Sequence, residues 1–142
     1  MLIDVMVGVF VLVTAVISYG ALIPVVQRGQ EISRDEEVAT QIVQRTLEHI
    51  QMLRPNNLNK KTLEDLHLIE RNQLSYPYRF GSMPLDQDSY YSADRQLEDA
   101  FGTIGIQTLS DGSKLVLVRL SYKSPSGKKK TIKSGTVIGA FR

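Results

Sequence analysis

MLIDVMVGVFVLVTAVISYGALIPVV, residues 1–26, decides the architecture of this 142-residue chain. From Val5 to Val26 there is no charged side chain. A run of about 22 residues exceeds the roughly 18 to 20 that a helix needs to cross the hydrocarbon layer of a bilayer. β-Branched residues are abundant, but the run is too long for one strand, which leaves helix as the spanning form. Gly8, Gly20 and Pro24 interrupt it. Pro24 removes one backbone donor and clashes with the carbonyl of Gly20, so a kink or a locally unwound stretch is expected there.

Beyond Pro24 no turn signal appears. Ile32, Ala39, Val43, Leu47, Ile50 and Leu53 recur at helical steps, with charged and amide side chains from Arg28 to Glu48 filling the rest of the surface. That pattern continues the helix as an amphipathic one whose stripe packs on a domain. Arg54-Pro55-Asn56-Asn57 ends it, because the residue before proline disfavours helix and asparagine favours turns. A helix of about 50 residues is about 75 to 80 Å long.

The middle of the chain is expected to be mostly loop. Asn59 or Thr62 caps a short helix through Leu68, with Thr62 and Asp65 at capping-box spacing. Tyr76-Pro77-Tyr78 and Met83-Pro84 read as irregular extended chain, and Ser92 as the cap of a short helical turn through Leu97. The last forty or so residues alternate as strands: Ile104 and Ile106, then Val116 to Tyr122, then Thr131 to Phe141, separated by Ser110-Asp111-Gly112-Ser113 and Ser124-Pro125-Ser126-Gly127. The expectation is an α+β fold. A helix with an apolar half at 1–27 and an amphipathic half at 28–54 leads into a loop-rich region at 55–101. A three-stranded antiparallel meander at 102–142 then packs on the helix stripe.

Composition narrows the function classes. With 17 basic and 15 acidic residues the net charge is +2, too even to indicate a dedicated nucleic-acid binder. The absence of cysteine excludes disulfides, thiolate metal sites and thiol nucleophiles. His49 and His67 have no ligand spacing around them and read as structural or surface residues. Asp86, Asp88 and Asp94 lack the spacing and glycine of a calcium loop. No nucleophile, general base or phosphate loop stands above background, so neither an enzyme nor a cofactor is expected.

The start Met1-Leu2-Ile3-Asp4-Val5-Met6-Val7-Gly8 resembles the N-terminus of mature type IV pilins and pseudopilins, in which a small or aromatic residue, Thr, Leu, Ile and Glu precede an apolar helix. Leu2, Ile3 and Asp4 match the Leu-Ile-Glu portion, and a proline falls late in the run, as in many members. The motif covers about the first 30 residues and the remainder agrees in architecture. Two departures stand: the acid is Asp, and it lies one place nearer the start, as if one residue preceded Met1. A basic leader removed by prepilin peptidase is absent from the sequence, which on this resemblance reads as the processed form. Such a leader would restore the usual orientation, since no Lys or Arg precedes the span while Arg28 follows it.

The resemblance implies a subunit of an extracellular filament at the cell surface, major or minor, or a type II secretion pseudopilin. It passes through the cytoplasmic membrane before polymerising with itself or with other pilins. The implied partners are the lipid bilayer and the inner-membrane assembly machinery. It also implies that Asp4 pairs with the α-amine at Met1 of the next protomer, usually methylated in the family. The residues by themselves leave another reading, an interfacial Asp stabilising a helix N-terminus. Gly20 and Pro24 mark either the stretch that loses helicity in assembled pili or an ordinary proline kink. Lys123, Lys128, Lys129 and Lys130, with Lys133, form a candidate basic patch for DNA or an anionic surface, against the alternative of a solvated turn. Tyr76, Tyr78, Tyr90 and Tyr91 either stack on a ligand or cover the sheet. From a different class, a single-span protein displaying a small binding domain explains the span and head equally well.

Overall fold

The computed structural model describes residues 2–81 and 93–139. Met1, Met83-Pro84, Asp86, Asp88, Tyr90, Tyr91, Ser92 and Phe141 lie outside the described residues. The fold is α+β. One helix, α1 (Leu2–Gln51), leads through a 3-10 turn (Pro55–Asn57) and α2 (Lys60–Asp65) to strand β1 (Tyr78–Phe80). The short α3 (Ala93–Gln96) precedes β2 (Glu98–Thr108), β3 (Lys114–Lys123) and β4 (Lys129–Ile138).

Helix α1 is 50 residues long and helical throughout, Gly20 and Pro24 included. No unwound stretch interrupts it, although Pro24 withholds one hydrogen bond; the turns on either side retain their own. Arg54 is extended (φ −70°, ψ 147°) before Pro55, as the steric demand of the proline ring requires. Ala39, Ile42, Val43, Thr46, Leu47 and Ile50 are buried, which gives the stripe its i, i+3, i+4, i+7 spacing. Thr46 sits on that apolar face because its hydroxyl donates 2.8 Å to the Ile42 carbonyl, four residues back.

The sheet has four antiparallel strands in the order β1-β2-β3-β4, where the alternation of the last segment predicts three. The addition is β1, which lies in the expected loop region and pairs Tyr78 with Ile104 and Phe80 with Gly102. Its edge is covered: the Gln73 side-chain amide bonds both the N–H and the carbonyl of Arg79, and the Glu70 N–H also reaches that carbonyl. Strand β2 begins at Glu98, before the expected position, with a register shift between Glu98 and Phe101. The meander turns carry Gly112 (φ 82°) and Gly127 (φ 77°), a left-handed conformation open to glycine at no steric cost. Asn59 caps α2, its side chain accepting from the Thr62 N–H at 2.9 Å, so Thr62 lies inside the helix and not at its cap.

Period-two alternation gives the sheet two faces. Val116, Val118, Leu120 and Tyr122 of β3, with Ile104 and Phe80, face the α1 stripe and form one core with Leu58, Leu63, Leu68 and Ile69. The intervening residues of β2, β3 and β4 form an outer face turned away from α1.

Candidate functional site

Among the described residues, the first half of α1 packs on nothing else in the chain. Residues 3–31 are all exposed, and they include large apolar side chains such as Phe10, Leu12, Ile17 and Leu22. A contiguous apolar surface of this size exceeds what solvated monomers carry and marks a region that lipid or other protein covers. By length and composition this helix can cross a membrane. Two hydroxyls in the apolar run fit an apolar surrounding: Thr14 donates to the Phe10 carbonyl and Ser18 to the Thr14 carbonyl. Asp4 lies in the first helical turn, where a carboxylate meets the positive end of the helix dipole. Above Gly8 and Gly20 the space where a Cβ would stand is open.

The four lysines grouped by their nearness in sequence are not together in space. Lys130 lies on the inner side of the sheet, with its Nζ 3.4 Å from Glu36 Oε1 of α1. Lys123 is on the outer face and is bonded to Glu98 across the β2–β3 pair. Lys128 and Lys129 are exposed at the β3–β4 turn, and neither has an ion-pair partner among the described residues. Strand pairing adds a cation that the linear reading misses. Arg119 stands opposite Lys133, two registers beyond the Lys123–Lys129 pair on the same outer face. The signal for it is the period-two alternation, which puts odd-numbered residues of both strands on one side.

Tyr76 covers this face near Gly105, its hydroxyl donating 2.8 Å to the Ile106 carbonyl and its ring meeting Tyr78 edge-on at 5.5 Å. An open depression of about 270 Å³ lies beside it, lined by Pro77, Thr103, Leu117 and Arg119. It is shallow, with no convergent set of polar groups of the kind that orients a small ligand. His49 is half-buried in α1 and His67 is exposed after α2. Among the described residues no three His, Asp or Glu side chains gather as metal ligands do.

Inside the head, Tyr122 is buried opposite Lys130. Burial first, then the nearby carboxylates of Glu36 and Asp35, push its phenol above the ordinary value of 10.0. Its hydroxyl and that of Ser124 are buried without a hydrogen-bond partner among the described residues. At the opposite end of the sheet, Asp111 is held below the usual carboxylate value of 3.8 by hydrogen bonds from the Ser113 hydroxyl and backbone N–H. Among the described residues these groups line none of the open depressions, and the large exposed apolar surface is the bare half of α1. Compared with protein-family models, curated proteins and solved structures, the chain has no match.

Proposed function

We propose that this chain is a structural subunit of a type IV pilus-like filament, with α1 held in the cytoplasmic membrane before assembly and in the filament core afterwards. The observation that carries this reading is the division of one unbroken helix into an exposed apolar half and a half that forms the floor of the head. A helix of about 75 Å extends well beyond a hydrocarbon layer of about 30 Å, so the same rod both anchors and supports.

Assembly exchanges lipid for neighbouring helices around residues 3–26. Since lipid is as apolar as a leucine side chain, close packing and polar pairing supply the preference for the filament. Gly8 and Gly20 leave shallow notches where a neighbouring helix approaches closely. Asp4, at the first turn of α1, pairs with the α-amine of an adjacent protomer and fixes the axial register. A major subunit, a minor subunit and a secretion pseudopilin share this arrangement. The stretch from Gly20 to Pro24, helical in the single chain, is where an assembled subunit lengthens under tension.

Electron microscopy of filaments sheared from the source cells, with mass spectrometry of the subunit's intact N-terminus, tests the reading. Filaments built from this chain with a processed N-terminus support it, and Asp4→Ala then abolishes incorporation while membrane insertion and head folding persist. A chain found dispersed in the membrane overturns it in favour of a single-span anchor for a small binding domain, which the same apolar helix would serve.

A further inference from the structure

Two contacts fix how the sheet lies along the helix. Lys130 Nζ is 3.4 Å from Glu36 Oε1, and Gln51 Nε2 donates to Thr136 Oγ1 at 2.9 Å. From Glu36 to Gln51 along α1 is about 22 Å at about 1.5 Å per residue. From Lys130 to Thr136 along β4 is about 20 Å at about 3.3 Å per residue. The two lengths agree, so β4 runs beside α1 in the same direction, and the β3–β4 turn before it points back toward the apolar half.

The height of that turn follows. Val26 ends the uncharged run, and Glu36 stands about 15 Å beyond it along α1. Returning about 7 Å down β4 from Lys130 sets the backbone of Lys128 about 8 Å above Val26. A bilayer's polar layer is about 5 to 8 Å deep on each side of its hydrocarbon, and a lysine stem reaches about 6 Å. The ammonium groups of Lys128 and Lys129 therefore fall at headgroup height, as does exposed Arg28. Of the nearby acids, Glu36 faces Lys130 and Glu98 faces Lys123, with Asp35 near Tyr122 on the inner side and Asp99 near Lys123, while Glu31 is exposed on α1.

We infer that the tip of the β3–β4 hairpin, through Lys128 and Lys129, docks on anionic lipid headgroups of the leaflet from which the head emerges, and so sets the tilt of the head before assembly. This rests on the membrane-anchored stage of the reading above. Charge complementarity selects the partner: each basic residue at an anionic bilayer surface favours contact about five-fold, within a Debye length of about 8 to 10 Å.

The chain contains no cysteine, so Ser126→Cys introduces a single labelling site at the hairpin tip. The full chain is reconstituted in vesicles with and without phosphatidylglycerol, and a fluorophore at position 126 is read against a quencher fixed at the headgroups. Quenching is expected to be stronger with phosphatidylglycerol than in neutral vesicles, and to weaken at high salt. Lys128→Gln with Lys129→Gln lowers the ratio of docked to undocked hairpin by about 25-fold. Equal quenching in neutral and anionic vesicles, indifference to the two lysines, or a response to a single-stranded oligonucleotide with none to vesicles overturns the inference. A parallel Ser18→Cys label, read against an acyl-chain quencher, separates the two levels: quenching there with none at 126 removes only the docking, whereas none at Ser18 removes the anchor as well.

Discussion

The ring of Phe80 occupies the space that any side chain at Gly102 would need: a Cβ there would stand 2.0 Å from Phe80 Cζ. The two residues are partners across the β1–β2 pair, and Phe80 is buried, so its ring has nowhere to withdraw. Gly102→Ala is expected to cost about 1 to 3 kcal/mol through overpacking, with β1 displaced first. Thermal denaturation checks the size, and partial recovery in the Gly102→Ala, Phe80→Leu double variant checks the cause. An unchanged midpoint in the single variant would show that the ring does not fill this space.

Tyr122 carries a buried hydroxyl without a partner among the described residues. Removing it takes away a desolvated polar group and leaves the ring in place, so Tyr122→Phe is expected to be neutral or to stabilise the head by up to about 1 kcal/mol. A loss of more than that in chemical denaturation would point to a bond the hydroxyl makes in solution. The same phenol gives an alkaline limit. Its pKa is raised in the fold, so its contribution is fully present below the unfolded value near 10.0 and is lost as pH rises through the folded value. The Phe variant should show a shallower decline in melting temperature above that pH.

Asp111 sets an acid response of opposite sign. Its pKa is lowered in the fold by Ser113, so its stabilisation is present above the ordinary carboxylate value of 3.8 and is lost as pH falls through the folded value. Asp111→Asn keeps the turn geometry without the charge. The variant is expected to flatten the acid limb of the stability curve below about pH 4, measured by circular dichroism. An identical acid limb in both proteins would remove Asp111 from the account.

The two halves of α1 should respond differently to truncation. Ile42→Ala removes a buried side chain from the core and is expected to cost about 2 to 4 kcal/mol of head stability. Val16→Ala, on the exposed half, is expected to leave the melting of the detergent-solubilised head unchanged within about 0.5 kcal/mol. A comparable loss from both would mean that the apolar half packs on the head in solution.

The long helix, its end before Pro55 and the β2–β3–β4 meander are legible in the residues because each is encoded locally, by a steric rule or a periodicity. Strand β1 is not. It has three residues directly after Pro77, and its strand identity comes from pairing with a distant β2. Ile42 and Thr46 fall between the stripe positions read from spacing, since the packed face is wider than one row and Thr46 hides its polarity by bonding backwards. The lysine patch shows the limit of counting along the chain. Lys128, Lys129 and Lys130 are contiguous, yet strand alternation sends Lys130 inward to Glu36 and Lys129 outward, Lys128 stays in the turn before β4, and distant Arg119 joins Lys133. Whether the apolar half of α1 meets lipid or sister helices is not encoded within one chain, because both surroundings satisfy the same side chains.

The parallel course of α1 and β4 has a mechanical consequence. An axial load carried by the helix reaches the sheet through contacts at both ends of the strand, Lys130 and Thr136, and so pulls β4 lengthwise past β3. The hydrogen bonds between antiparallel strands lie across that direction. They are therefore strained together in shear, and do not peel one at a time as they would if the sheet were gripped at a corner. A head built this way withstands traction as a unit and fails abruptly when it fails.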